Sequence, residues 1–507
     1  MRTRSITCRC CSAPTATRPT GAAEPMSQTI TFFLGGEELG VQGVSPATTL
    51  LDFLREHRGR TGTKEGCNEG DCGACTVLLA HVEGPENDLV YRAVNACITL
   101  LPAVHGHWVV SVEDLGQAPD RLHPVQDAMV RRHGSQCGFC TPGFVMSLAA
   151  MHLDGAPVEQ AETYIAGNLC RCTGYGPILA AAGDSVAAPE DPAFSAKVHA
   201  AKDWLIARRA DDDGLFYEHG DERYDAPVTL DALLRLRQDH PGATIVAGTT
   251  ELGLWLNKDL QDFPHLISPT RVSTLTAVDF RSDGTLVIGG AATYEQAWPK
   301  LSQVIPEGQD WFERFASMQI RQQATIGGNI VNASPIGDGP PLFLALNAEV
   351  ELASTRGSRV VPLAAFFTGY KQTELASDEV LTSILIPRRP ENLQFAALKV
   401  SKRRDQDISA VMAVFAWQAD GEQLTGVRLG FGGMAATPQL AGNTQAVLEG
   451  KALTPALIDE AVDTLASDFS PIDDLRASAW YRMEVSRNLL RTELEQTLAS
   501  RGEAAAA

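Results

Sequence analysis

Eight cysteines stand in two compact groups, Cys67/Cys72/Cys75/Cys97 and Cys137/Cys140/Cys170/Cys172. Each group supplies the four thiolates that one iron–sulfur cluster takes. The first runs C-x4-C-x2-C with a fourth Cys further on, the spacing of a plant-type [2Fe–2S] site. The second runs C-x2-C and then, after a helix-like stretch, C-x-C. A [2Fe–2S] core also needs backbone N–H groups aimed at its sulfurs. Gly66, Gly70 and Gly73 permit the unusual dihedrals of a loop wrapped round such a core. Zinc loops usually pair C-x2-C with C-x2-C, which the first group does not. The second group, by spacing alone, also suits zinc or a mixture of thiols.

The remaining cysteines, Cys8, Cys10 and Cys11, lie in an Arg/Thr/Pro/Ala-rich leader without hydrophobic periodicity. Residues 1–26 are expected to be a disordered leader or a misassigned start, with Met26 as the natural beginning. At 507 residues the chain suits about three to four domains. It is 44% hydrophobic and 21% charged, and it lacks the apolar run of about 18 residues that a membrane span needs. A formal charge of −20 repels phosphate backbones, which argues against nucleic acid as a partner. With no signal-peptide core, the paired cysteines favour metal over disulfides, and the expected location is cytoplasmic.

These residues need elements to hold them. Thr29–Leu34, Gly35-Gly36 and Glu37–Val41 predict a hairpin, and Leu50–Leu54 has helical spacing. Strands are predicted at Thr76–Val82, Leu89–Val94 and Trp108–Val112. Pro124–Arg132, Gly143–Leu153 and Val158–Leu169 read as helices, with Cys140 just before one of them. Residues 183–225 look like a surface linker. Beyond it come the helix Leu230–Asp239, an apolar strand Ala243–Ala247 and mixed elements to about Pro390. The last segment adds strands at Ala410–Gln418 and Gly426–Gly433, then helices at Pro455–Ser467 and Leu475–Leu498.

Two stretches in the third unit look like phosphate cradles. Ile245-Val246-Ala247-Gly248-Thr249-Thr250-Glu251-Leu252 runs from a strand through a small, hydroxyl-bearing turn toward a helix. It is neither a Walker loop nor a G-x-G-x-x-G motif, and an ordinary strand–turn–helix fits it as well. Thr325-Ile326-Gly327-Gly328-Asn329 through Asp338 offers close backbone approach together with polar side chains.

The motifs G-C-x-E-G-x-C-G-A-C, Q-C-G-F-C-T-P-G and G-N-x-C-R-C-T-G-Y resemble the two iron–sulfur modules of the xanthine dehydrogenase family of molybdenum hydroxylases. The later cradles are similar to the flavin domain of the same family. The fold implied is multi-domain α+β. It comprises a plant-type ferredoxin β-grasp domain (27–113), a small four-helix-type [2Fe–2S] domain (114–183) and a linker (184–224). A vanillyl-alcohol-oxidase-type FAD domain (225–391) and a C-terminal α+β domain (392–501) follow. The resemblance places Ile245 through Leu252 around the FAD diphosphate and Phe315 near the flavin or its adenine. Thr325, Asn329, Asp338, Leu381 and Lys399 match further FAD contacts. Gly337 and Asn332 depart from the commoner Ser and Thr, which removes hydroxyl contacts there. Lys402-Arg403-Arg404-Asp405-Gln406-Asp407 is by default a solvated loop; in the family it lies where the electron acceptor arrives.

The resemblance implies no substrate-hydroxylating residue in this chain. That chemistry is expected in a molybdopterin-bearing large subunit, in a heterodimer or dimer of heterodimers. Electrons would enter through the second cysteine group, pass to the first and then to FAD, with NAD as acceptor. The order of modules in one polypeptide favours purines as substrate. The same role in an aldehyde or N-heterocycle hydroxylase, a stand-alone flavin–iron–sulfur reductase and a non-redox zinc protein are the alternatives.

Overall fold

The computed structural model describes residues 28–116, 121–189, 191–210 and 213–506. The leader and its three cysteines lie outside the described residues. The chain forms two compact units: the residues up to Ser273 together with Ser317–Ala324, and Thr274–Ala316 together with the residues from Thr325 on.

The first unit is built on a five-stranded sheet. Its strands are β1 (Ile30–Leu34), β2 (Glu37–Val41), β3 (Thr76–Glu83), β4 (Asp88–Asn95) and β5 (Trp108–Val110), in the order β2-β1-β5-β3-β4. Gly35 and Gly36 take φ of +65° and +89°, as a tight hairpin turn between β1 and β2 requires. The β3 sequence is apolar almost throughout, which marks a strand covered on both faces. Val77 and Leu79 enter a core with Leu50, Leu51 and Leu54, and this core also encloses Cys75 and Cys97. Leu78, Ala80 and Val82 face the other way, against Phe144, Val145 and Leu148.

Those three residues belong to the helix Thr141–Leu153, which is buried on every side from Gly143 to Met151. A helix apolar all round belongs inside, and neighbouring helices cover it: Pro124–Arg131, Ala161–Ile165 and Gly176–Val186. The predicted helix at Val158–Leu169 is shorter than expected, a 3-10 turn at Val158–Gln160 followed by Ala161–Ile165. Its last residues become the loop that carries Cys170.

Where a surface linker was expected, the chain forms the helix Pro192–Ala210. Phe194, Val198, Ala201 and Leu205 make an apolar stripe at helical spacing that packs into the same core, with Phe194 stacked on Trp108 at 5.9 Å. A hairpin, Leu215–His219 with Glu222–Ala226, then joins His265–Ile267 and Thr244–Ile245 in a small sheet. The apolar run Ala243–Ala247 contributes only Thr244 and Ile245 to pairing; the rest is drawn into the following turn.

The second unit holds two large sheets and a two-stranded pair, Phe367–Gly369 with Gln372–Thr373. Val278–Phe280, Leu286–Gly289, Val380–Ile386, Glu349–Ser354 and Gly357–Pro362 form an antiparallel five-stranded sheet in that order. Leu393–Val400, Val411–Asp420, Gln423–Gly432 and Gln439–Leu440 form the other, backed by the helices Pro455–Asp468 and Ala479–Ala506. The last helix starts later than Leu475, because Asp473 and Asp474 bind the N–H groups of Ala479, Arg476 and Ala477 in a turn ahead of it.

Candidate functional site

The loop 66–75 folds back on itself through positive φ at Asn68 (57°), Gly70 (82°) and Gly73 (65°). That path directs the N–H groups of Asp71 and Cys72 at Cys67 Sγ, and that of Cys67 at Cys72 Sγ, each at 3.3 Å. Contact with the Cys72 thiol, and next with Cys97, holds Cys67 far below the ordinary thiol range. The same contact drives Cys72 upward, and contact with Cys67 and Cys75 drives Cys97 upward. These contacts link the sulfurs of the first group as neighbours in the order Cys72, Cys67, Cys97, Cys75.

The second group closes similarly. Burial, reinforced by the Cys170 thiol, pushes Cys140 up to about 12, and Cys172 is raised by its contact with Cys137. Burial also acts on Cys170, but the hydroxyl and N–H of Thr173, at 3.1 and 3.3 Å from Sγ, outweigh it and lower the thiol. Tyr175, at φ 69°, places its Oη to accept from Cys170 N at 2.9 Å. Among the described residues no three ligating side chains surround one point as a single ion would require. The second group instead pairs two and two, Cys140 with Cys170 and Cys137 with Cys172, as a two-iron core demands. Sulfur-only donors with N–H groups directed at them fit a [2Fe–2S] cluster in each group.

The two loops abut. Leu169 N donates to Cys72 O at 3.0 Å, and Asn168 Nδ2 donates to Gly73 O at 3.0 Å. A Cβ on Gly143 would meet Gly73 O at 2.1 Å, so the helix behind Cys140 touches the backbone of the first loop. On its other side the first group meets the turn after Ile245. Thr249 Oγ1 donates to Ile98 O, Asn257 Nδ2 to Cys97 O at 2.8 Å, and Lys258 Nζ to Cys67 O.

That turn is the first predicted cradle. Val246 and Leu252 are buried and anchor it, while Ala247, Gly248, Thr250 and Glu251 remain partly accessible. Gly248 has no room for a side chain, since its Cβ would meet Gln323 O at 1.9 Å. Thr249 has φ 56°, costly for a β-branched residue and characteristic of turns whose successive N–H groups form anion-binding concavities. The cradle fits a diphosphate.

In the second unit Phe315, Asn329 and Asp338 gather around Tyr294, which the sequence did not single out. Its ring lies 4.5 Å from that of Phe315, and its hydroxyl donates to Asn329 Oδ1 at 2.8 Å. Burial, and then the Asp338 carboxylate, push its phenol well above the usual range. Phe315 also stacks on Trp311 at 5.3 Å. Thr325 caps the helix Ile326–Val331 and bridges to Thr293. Lys399 and Asp338 form a buried ion pair at 2.5 Å, closed by Ser409 on both partners. Leu381 O faces Gly290, whose Cβ would meet it at 2.2 Å. This set of an aromatic face, hydroxyls, an amide and a buried ion pair suits the polar and planar parts of FAD.

Four domain models match along the chain. They are the 2Fe-2S iron-sulfur cluster binding domain over residues 32–102 and the [2Fe-2S] binding domain over 111–183. The FAD binding domain in molybdopterin dehydrogenase matches 220–389, and the CO dehydrogenase flavoprotein C-terminal domain matches 396–497. The chain belongs to the molybdenum hydroxylase family. Xanthine dehydrogenase of Drosophila pseudoobscura pseudoobscura is 33% identical over 495 residues, covering 87% of this chain and 37% of the relative. Xanthine dehydrogenase/oxidase of Gallus gallus is 32% identical, over 87% of this chain and 38% of the relative. The chain thus spans well under half the length of these molybdenum hydroxylase relatives. Among solved structures, a chain of reconstituted CO dehydrogenase from Oligotropha carboxidovorans is 27% identical with a TM-score of 0.51. The match covers 54% of this chain and 96% of that one. As a member of the family, the protein carries two [2Fe–2S] domains and an FAD-binding domain.

Proposed function

We propose that this chain is the electron-transferring part of a xanthine dehydrogenase whose substrate is hydroxylated on a separate molybdopterin-bearing subunit. When bound, the clusters supply single-electron transfer and the flavin supplies the junction between single electrons and the hydride taken by NAD. The observation that carries this reading is the succession of contacts from one cysteine group to the other and on to the cradle: Leu169 N donates to Cys72 O, Ala96 N to Cys75 O, and the Thr249 hydroxyl to Ile98 O.

The residues divide the work. Cys75 and Cys97 lie in a closed apolar core that keeps water from the first group. Cys137 and Cys172 are exposed, as are Phe139 (49%) and Leu169 (40%) next to Cys140 and Cys170, which suits this edge to docking of the molybdopterin subunit. Ile245 through Leu252 hold the FAD diphosphate, and Phe315, Thr325, Asn329, Asp338, Leu381 and Lys399 supply the remaining contacts. Asp407 closes the 402–407 loop by accepting from Lys402 N and Arg403 N at 2.7 and 2.9 Å, leaving the Arg403 and Arg404 guanidinium groups accessible. These cations draw in the phosphates of NAD. Among the described residues no helix is long and apolar enough to cross a membrane. We assign the complex to the cytoplasm on a separate ground, that its two cysteine groups serve metal rather than disulfides.

A second reading is the same role with an aldehyde or N-heterocycle as substrate; the likeness to CO dehydrogenase supports it only in that the similarity extends beyond xanthine dehydrogenases. Co-purification with metal, flavin and pterin analysis comes first. Xanthine, and not an aldehyde, then bleaches the visible absorbance of the assembled complex; the opposite result selects the second reading. Charge reversal at Arg403 and Arg404 raises KM for NAD, and an unchanged KM removes the loop from acceptor binding.

A further inference from the structure

The segment Ser317–Ala324 packs in the first unit although its neighbours in sequence belong to the second. Met318 enters the core around the Thr141–Leu153 helix, and Ile320 packs against the core that encloses Cys75 and Cys97. Between and just beyond these apolar anchors it sends out two amides, four residues apart, toward the two cysteine groups.

Gln319 is fully buried. Its Nε2 donates to Ser147 Oγ at 2.8 Å, Asn168 Oδ1 at 3.1 Å and Tyr164 O at 3.4 Å. Asn168, two residues before Cys170, passes the connection on through its own amide to Gly73 O at 3.0 Å and Thr76 Oγ1 at 3.2 Å. The Gln319 amide comes so close to Gly167 that a Cβ there would lie 1.9 Å from Oε1. Gln323 reaches the first loop alone: its Nε2 donates to Thr99 Oγ1 at 2.7 Å, and its Oε1 accepts from Asn95 N at 3.3 Å. Asn95 in turn donates to Gly70 O at 2.7 Å.

We propose that Gln319 and Gln323 are positioning residues that clamp the two cysteine loops at one fixed separation. The inference rests on the electron-relay reading above. Neither amide touches a ligand sulfur, so neither is needed to bind iron. What they set is the register of Gly73 against Asn168, and with it the spacing and mutual orientation of the two centres. Buried donors of this kind specify one arrangement: shifting the loops strips Gln319 Nε2 of its acceptors, whereas in the arrangement seen only Oε1 of that amide lacks a hydrogen bond.

The test uses the full chain purified with its partner subunit, reduced with dithionite and read by low-temperature EPR. Two reduced [2Fe–2S] centres this close split one another's signals. In Gln319→Met and Gln323→Met the iron and flavin contents stay at the wild-type level. The splitting changes or is lost, and the midpoint potential of at least one centre shifts. Ser147→Ala removes one of the three Gln319 acceptors and the Ser147 donor to Asn168 Oδ1; it moves the same readouts in the same direction by less, and replaces Gln319→Met if that variant does not accumulate. Splitting and potentials identical to wild type in these variants overturn the clamp. A wild-type protein lacking two cluster signals overturns the relay reading itself, and the two failures are thereby distinguished.

Discussion

Leu169 N donates to Cys72 O at 3.0 Å, so a peptide adjoining Cys170 is hydrogen-bonded to the peptide of a ligand in the other group. A separation of 97 residues in sequence becomes one hydrogen bond in space. The chain achieves this by placing both loops on one side of β3, the first emerging from it and the second carried by helices packed on its face.

That proximity is steric as well as polar, and Gly143 tests it. In a helix, Gly→Ala ordinarily stabilises by about 1 kcal/mol. Here the added Cβ would meet Gly73 O at 2.1 Å and Ala74 Cα at 3.1 Å. Gly143→Ala therefore reverses sign and destabilises by about 1–3 kcal/mol, as overpacking does. The melting temperature falls, and iron is lost from both groups together. A raised melting temperature would mean that the loops do not abut.

His123 gives the protein a pH dependence. Its Nδ1 accepts from Val125 N at 3.3 Å, capping the helix Pro124–Arg131, and burial followed by the nearby His152 holds it at about 4. The folded value lies below the ordinary 6.5, so the unfolded chain binds the proton more readily. This contribution to stability is complete above about 6.5 and declines as pH falls toward about 4, by about 3 kcal/mol in all. His123→Asn keeps an N-cap acceptor but cannot titrate. Denaturant unfolding of this variant between those pH values should show a flatter profile than wild type.

The cysteine groups were legible because ligand chemistry fixes residue type and spacing locally. The hairpin at Gly35-Gly36 and the helix at Leu230–Asp239 were legible for the same local reason. Gln319 was not: it meets Asn168 across 151 residues, and Gln323 meets Asn95 across 228, and nothing in a single sequence marks such pairs. Tyr294 was missed similarly, since its role depends on Asn329 and Asp338 arriving from later elements. The Pro192–Ala210 helix is a different failure. Its stripe Phe194-Val198-Ala201-Leu205 has helical spacing, but the Pro- and Asp-rich flanks are equally those of a surface linker.

Lys399 and Asp338 separate stability from cofactor binding. Lys399→Met leaves the Asp338 carboxylate buried with only Ser409 beside it, a loss of about 3–5 kcal/mol for a buried pair broken on one side. Adding Asp338→Leu removes the stranded charge and restores most of that stability. Flavin content should not recover with it, because the polar contacts are gone. Full FAD occupancy in the double variant would show that the pair serves the fold alone.

Thr249 joins the flavin cradle to the first cysteine group, and two substitutions divide its contributions. Its φ of 56° is strained for a β-branched residue, and its hydroxyl donates to Ile98 O, next to Cys97. Thr249→Val keeps the shape and the strain but leaves that carbonyl without its donor, at a cost of about 1–3 kcal/mol. Thr249→Gly also removes the donor, yet it releases backbone strain of about 1–3 kcal/mol, so its melting temperature stays closer to wild type. A strained backbone persists where surroundings over-determine it, and here the purpose is to present the turn's N–H groups to a phosphate. The glycine variant should accordingly lose FAD faster on dilution despite its stability, with flavin fluorescence reporting the release. If it retained FAD as wild type does while the valine variant lost it, the hydroxyl would hold the cofactor and the strain would be incidental.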